Sequence, residues 1–141
     1  ADFTTVVQQA AADKWVKNVF NFNNGDPYSN LTGARLDDKE KALAVSPVHY
    51  VSKDNPPFLI LHGTADQMVP FAQTVEFADA LKKARVEVLV QKFPNVGHGG
   101  GEFWSAPVTK LMYAFFNKHL KGIDAKLELV PEKLLTAKPA K

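Results

Sequence analysis

Apolar residues fall at helical spacing in some stretches of this chain and run unbroken in others, and that alternation outlines its elements. Val6, Val7, Ala10, Ala11, Trp15 and Val19 form a stripe near the 3.6-residue period. This predicts a helix from about Thr4 to Phe20, capped by Asp2 or Thr4. Asn, Gly and Pro crowd the stretch from Asn21 to Gly33, which reads as a loop. Asp37 is expected to open a short helix, with Glu40 at the capping-box position. Ser46-Pro47 suits a second start, with serine as cap and proline at the first helical position. Pro56-Pro57 stops any helix, and the unbroken apolar run from Phe58 to Leu61 predicts a strand covered on both faces. Phe71, Val75, Ala78 and Leu81 repeat along a helix expected from about Phe71 to Ala84. A β-branched, mostly apolar second strand follows from Val86 to Phe93. After a glycine-rich loop from Pro94 to Gly101, a last helix is expected from about Ala106 to Leu120. Val108, Leu111, Met112, Phe115 and Phe116 would form its buried face, and Gly122 its stop.

Strand, helix, strand, helix is a βαβα order, which implies an α/β fold with parallel strands. Two parallel strands buried on both faces do not make a stable sheet without neighbours on their edges. Further strands are therefore expected from outside this chain. A length of 141 residues suits one small domain on its own, so the element pattern overrides the length. The chain also opens on Ala1 rather than Met, which leads us to expect a fragment or processed product.

Charge changes little. The formal net charge is +2, too small to draw nucleic acid or an anionic membrane. The excess sits in six lysines between Lys118 and Lys141, and the rest of the chain is close to neutral. Residues 123–141 are accordingly expected to be a solvated, Lys-rich tail. Cysteine is absent, which excludes disulfides, thiolate zinc sites and a cysteine nucleophile. No apolar run approaches the roughly 18 residues of a membrane span.

In open α/β sheets, ligands bind beyond the carboxyl ends of the strands. The loops there are His62–Pro70, which carries Asp66, and Pro94–Glu102, which carries His98. An acid after one strand and a histidine after the next supply the later two members of a Ser…Asp…His order. In such a set the histidine takes the serine proton and returns one to the leaving group, while the carboxylate fixes its tautomer and stabilises the imidazolium.

The motif His62-Gly-Thr-Ala-Asp66-Gln-Met-Val-Pro70 resembles the acid loop of the α/β-hydrolase superfamily, and Val96-Gly-His98-Gly-Gly100 resembles its histidine loop. Together they form a fairly specific signal, whereas either alone is weak. The stretch from Ser46-Pro-Val-His-Tyr50 to Glu102 is similar to esterases of the acetyl-xylan/feruloyl type, relatives of the dienelactone hydrolase and prolyl-oligopeptidase branches. The resemblance covers about residues 1–121. It implies the C-terminal portion of a doubly wound α/β-hydrolase sheet over residues 1–122, holding its last two parallel strands and flanking helices. It further implies ester hydrolysis by an acyl-serine mechanism with no metal or organic cofactor, on acylated polysaccharide or small acyl esters. Asp66 and His98 would be the catalytic acid and histidine.

The superfamily nucleophile lies in G-x-S-x-G, and none of Ser29, Ser46, Ser52 and Ser105 stands in that motif. The oxyanion loop is missing too. Both are expected from an N-terminal half of the same hydrolase, without which this chain would be inactive. An open edge at Phe58–Leu61 would lead the isolated chain to join that half, pair with a second copy as a homo-oligomer, or aggregate.

Plainer readings stand beside each of these. Asp66 suits a turn or a cap for the helix after Pro70, and His98 a mobile surface loop. His62 suits local packing or hydrogen bonding, and His49 and His119 structural or exposed positions. The four histidines lack a metal-ligand spacing. Glu102 and Trp104 suit a cap plus packing rather than a pocket wall, Phe115 and Phe116 suit the core, and Phe20, Phe22 and Tyr28 suit a loop that could flank a cleft. A peptidase of the prolyl-oligopeptidase type carries the same two loops. A non-catalytic binding module on a hydrolase half-fold is the reading outside enzymes, and the sequence upstream of Ala1 separates it from the others.

Overall fold

A computed structural model describes residues 2–14 and 38–135. Its elements in chain order are α1 (Val6–Ala12), α2 (Lys39–Ala44), a 3-10 turn (Pro47–Tyr50), β1 (Phe58–Gly63), α3 (Phe71–Lys83), β2 (Val88–Phe93), a second 3-10 turn (Gly101–Trp104), α4 (Ala106–Lys121) and α5 (Glu132–Leu135). The two strands run parallel, with Phe58 opposite Val88 and Gly63 opposite Phe93. The expected α/β arrangement of two parallel strands with flanking helices is present. β1 extends past the apolar run to His62 and Gly63, because its ladder with β2 continues to Phe93.

The N-terminal helix is shorter than its apolar stripe suggests. The backbone leaves helical geometry at Asp13 (ψ 120°), while Trp15 and Val19 lie outside the described residues, as do the expected loop 21–33 and Asp37. Asp38, rather than Asp37, caps α2: its carboxylate accepts from the Lys41 N–H. That shift by one residue takes Glu40 out of the capping-box position. Ser46 opens a 3-10 turn without capping it. Its hydroxyl instead donates to the Ala42 carbonyl at 2.6 Å and accepts from the Phe3 N–H at 2.8 Å, tying the N-terminus to α2.

Just past the end of α3, Arg85 adopts a left-handed φ of 64° while Val86 N–H reaches back to Leu81 O at 2.9 Å. The buried face of α3 is Gln73, Thr74, Ala78 and Leu81, and Val75 is exposed. The apolar repeat misplaces this face because two polar residues on it are fully engaged. Gln73 accepts from the Asp2 N–H at 2.6 Å and donates to Gln9 at 2.6 Å, and Thr74 meets His62. Burial with partners costs little, so polarity alone does not send these residues outward.

The main core gathers Phe93, Val108, Leu111, Val130 and Leu135, with Leu59, Leu61, Val96 and Phe103 against it. Phe93 and Phe103 stack with centroids 4.2 Å apart. Val130 and Leu135 correct the expectation of a solvated tail, at least as far as Leu135. Gln91 of β2 holds the Val130 backbone from both sides, accepting from its N–H at 2.7 Å and donating to its carbonyl at 3.2 Å. Lys126 and Lys133 are exposed while Val130 and Leu135 pack, so net charge did not report its docking. Two further expectations are corrected. Phe116 is 53% exposed while Phe115 is buried, since residues adjacent on a helix face different sides. Phe58 to Leu61 are only half-buried, because among the described residues β1 has β2 on one edge and no strand on the other.

Candidate active site

The acid turn follows β1 directly. Oδ1 of Asp66 accepts from the N–H groups of Met68 at 2.8 Å and Val69 at 2.9 Å, an Asx-type turn that orients the carboxylate through its own backbone. Asp66 is thus a turn residue, but not the cap of α3, which starts from Pro70 without a side-chain cap. The second oxygen, Oδ2, remains for other donors.

The histidine loop is pressed onto this turn. Ala65 N–H donates to Val96 O at 3.0 Å, Thr64 N–H to Phe93 O at 2.9 Å, and Asn95 N–H to the Thr64 hydroxyl at 3.0 Å. Gly63 makes the approach sterically feasible, because a Cβ there would fall on the Val96 carbonyl. Beyond the contact, Gly99 takes a φ of 83°, in the left-handed region that glycine occupies without penalty. The loop so shaped brings His98 Nδ1 to 2.8 Å from Asp66 Oδ2.

Asp66 is 4% exposed, whereas the His98 side chain is 52% exposed. Burial opposes the charge on Asp66, but the N–H groups of Val69 and Met68 and the His98 ring outweigh it and hold the carboxyl below its usual range. An ionised carboxylate only accepts, so Nδ1 of His98 carries the proton. Nε2, which has no hydrogen-bond partner among the described residues, is then the free basic nitrogen.

Both residues border a cavity of about 440 Å³, whose walls include Ile60, Leu61, Phe77 and Phe103. His62 borders it as well and is more than a packing residue. Its Nε2 lies 3.1 Å from the same Asp66 Oδ2 that His98 uses and 3.2 Å from Val69 O, while Nδ1 lies 2.5 Å from Thr74 Oγ1. Sequence reasoning gave Thr74 no part in the site. Its signal was positional: residues 74, 78 and 81 share one helical face. Phe103 was also missed. It lines the cavity, whereas Trp104 is 75% exposed and does not pack as expected.

The other expected residues lie elsewhere. His49 reaches the buried carboxylate of Asp2 at 3.3 Å, and His119 packs on the Phe115 ring. Ser46 is buried in its bonds to Ala42 and Phe3, Ser52 accepts from Asp54 in an exposed turn, and Ser105 Oγ is buried without a partner. None of these serines is hydrogen-bonded to His98, and Ser29 lies outside the described residues. Among the described residues no helix is long and apolar enough to cross a membrane.

Comparison with known proteins agrees with this architecture. The family model for the prolyl oligopeptidase family matches residues 2–122. The acylamino-acid-releasing enzyme of Rattus norvegicus is 36% identical over 78 residues, which are 55% of this chain and 11% of that protein. Esterase LipQ of Mycobacterium tuberculosis is 45% identical over 56 residues, 39% of this chain and 13% of that protein. A solved truncated form of a carbohydrate esterase from gut microbiota superposes with a TM-score of 0.54 at 32% identity, over 57% of this chain and 28% of that one. The chain therefore spans a small fraction of the length of the proteins it matches.

Proposed function

The chain belongs to the prolyl oligopeptidase family, and from that membership we propose that it supplies the acid and the histidine of a serine hydrolase acting on carboxylic esters. The observation that carries this reading is the 2.8 Å contact between His98 Nδ1 and Asp66 Oδ2 at the carboxyl ends of two adjacent parallel strands. His98 Nε2 takes the proton of a serine hydroxyl as that oxygen attacks the ester carbonyl, and the imidazolium is stabilised by Asp66. His98 then protonates the departing alcohol. In the second half-reaction it deprotonates water, which attacks the acyl-serine and releases the acid.

The serine and the oxyanion donors come, in this reading, from an N-terminal half of the same hydrolase. Its seat is the free edge of β1 and the cavity beside it, where Ile60 and Leu61 stay half-buried. The substrates are acylated carbohydrate or small acyl esters, a reading supported by the likeness to a gut microbial carbohydrate esterase and to Esterase LipQ.

A second reading, a serine peptidase, is favoured by the family itself and by the acylamino-acid-releasing relative. The same acid and histidine would serve it. The deciding experiment measures full-length protein on p-nitrophenyl acetate, acetylated xylo-oligosaccharide and N-acetyl-alanine p-nitroanilide. Ester turnover with little anilide cleavage supports the esterase, and the reverse supports the peptidase. Unchanged activity in both His98→Ala and Asp66→Asn overturns both readings. The 141-residue chain alone is expected to be inactive. A burst on p-nitrophenyl acetate that disappears in His98→Ala would show that the nucleophile lies within it.

A further inference from the structure

Asp66 receives four N–H donors. Oδ1 takes those of Met68 and Val69, and Oδ2 takes those of His98 and His62. An ionised carboxylate has about four acceptor positions, so this one is saturated. Three of the donors come from the acid turn and the histidine loop. The fourth, His62, comes from the strand itself and is buried.

The tautomer of His62 follows from its partners. Nε2 faces Asp66 Oδ2 and the Val69 carbonyl, both of which only accept, so Nε2 bears hydrogen. Nδ1 meets the Thr74 hydroxyl, which can serve as donor or acceptor to it. Thr74 is buried on α3, which carries the constraint from a second element. The packed strand and helix thus hold one ring, in one orientation, with its Nε2–H against the oxygen that orients His98.

We propose that His62, clamped by Thr74, is a positioning residue that aims Asp66 Oδ2 at His98 and sets how strongly that oxygen holds the His98 proton. The inference rests on the reading of Asp66 and His98 as a catalytic pair. Its physical content is competition for one oxygen. A donor from His62 draws electron density from Oδ2 and weakens its pull on the His98 Nδ1 proton. Without that donor, Oδ2 stabilises the His98 imidazolium more strongly and its carboxylate is freer to rotate. Few other groups act there. Asp66 and His62 are the titratable neighbours on β1 and its turn, and α3 presents neutral Gln73, Thr74 and Phe77 to the cavity. From the following 3-10 turn, Glu102 lies against Gly100.

The test uses full-length protein with His62→Leu, His62→Gln, Thr74→Val and, as a control on the underlying reading, Asp66→Asn. His62→Leu is expected to lower kcat/KM about tenfold and to move the acid limb of its pH profile up by about half a unit to one unit. Gln can return an N–H near the position of Nε2 and is expected to restore both. Histidine ring 15N spectra supply a readout independent of turnover. Wild type should show His62 as the Nε2–H tautomer, Thr74→Val the same tautomer with its Nδ1 resonance moved by the lost hydrogen bond, and His62→Leu a raised His98 pKa. A fall in activity that tracks the folded fraction, with the acid limb and the His98 titration unmoved, overturns the proposal. If His62→Leu fails to fold, Thr74→Val with both the His62 Nδ1 resonance and the His98 titration unmoved overturns the clamp. Full activity in Asp66→Asn refutes the catalytic pair itself, whatever the His62 variants do, so the two failures are distinguishable.

Discussion

Nδ1 of His98 lies 2.8 Å from Oδ2 of Asp66, although 32 residues separate the two in the chain. The contact joins a buried carboxylate to a half-exposed ring, so the acid is sheltered while the basic nitrogen stays accessible. The backbone donors on Oδ1 and the His62 ring on Oδ2 restrain the carboxylate independently of His98. An asparagine in its place keeps an acceptor for the Met68 and Val69 N–H groups, so that substitution should disturb catalysis far more than folding.

Asp66→Asn in full-length protein is expected to lower kcat by about a thousandfold or more, because an amide can present a donor to Nδ1 and favour the wrong tautomer. Circular dichroism should stay native. A loss of activity below tenfold on p-nitrophenyl acetate, with native structure, contradicts the role proposed for Asp66.

The pH dependence of stability follows from the lowered carboxyl of Asp66. The unfolded chain binds that proton more readily, so the group contributes stability in full above its unfolded value of about 3.9 and loses it as pH falls through the lower folded value. The difference in urea midpoint between wild type and Asp66→Asn should therefore shrink as pH falls below about 4. A difference that widens as pH falls below about 4 contradicts this sign.

Gly63→Ala tests the docking of the histidine loop on the acid turn. The added methyl would meet the backbone carbonyls of Val96 and Gly97, and neither can move as a side chain can. We expect a loss of about 3 kcal/mol or more in denaturant unfolding. The neighbouring loop glycine Gly97 has open space at its Cβ, with Ala65 O at 3.9 Å. Gly97→Ala should cost well under half as much, and equal losses would show that the close approach at Gly63 is not the cause.

Leu135→Ala tests the docked C-terminal segment. Leu135 is 2% exposed and belongs to the main core, while Leu134 beside it is 43% exposed. Truncating Leu135 is expected to cost about 2 kcal/mol, near the lower end for a buried leucine because the four-residue α5 that carries it can shift into the gap. Leu134→Ala should change stability by less than about 0.5 kcal/mol. Equal effects in urea titrations would mean that the segment is not packed as described.

Both strands, α3, α4 and the two site loops were legible in the sequence because each depends on local regularities: apolar period, proline stops, and a turn residue after a strand. Misreadings cluster where a distant partner changes the meaning of a residue. The apolar repeat included Val75, yet Val75 is exposed and Gln73 and Thr74 lie inside, satisfied by Asp2, Gln9 and His62. Val130 and Leu135 were hidden in a lysine-rich stretch, whose charge describes its solvent side and not the side that meets Gln91 and Phe93.

The sequence by itself determined the βαβα order, the absence of a thiol nucleophile or a G-x-S-x-G motif, and the placement of an acid and a histidine after successive strands. Those properties are carried by residue identity and short-range spacing. Only the tertiary structure decided that Asp66 Oδ2 lies within reach of two histidines, that Thr74 meets the other nitrogen of one of them, and that Val130 and Leu135 join the core. Each of these is a meeting of side chains and backbone far apart in sequence, set by how β1, β2 and α3 pack and by the close approach that Gly63 allows.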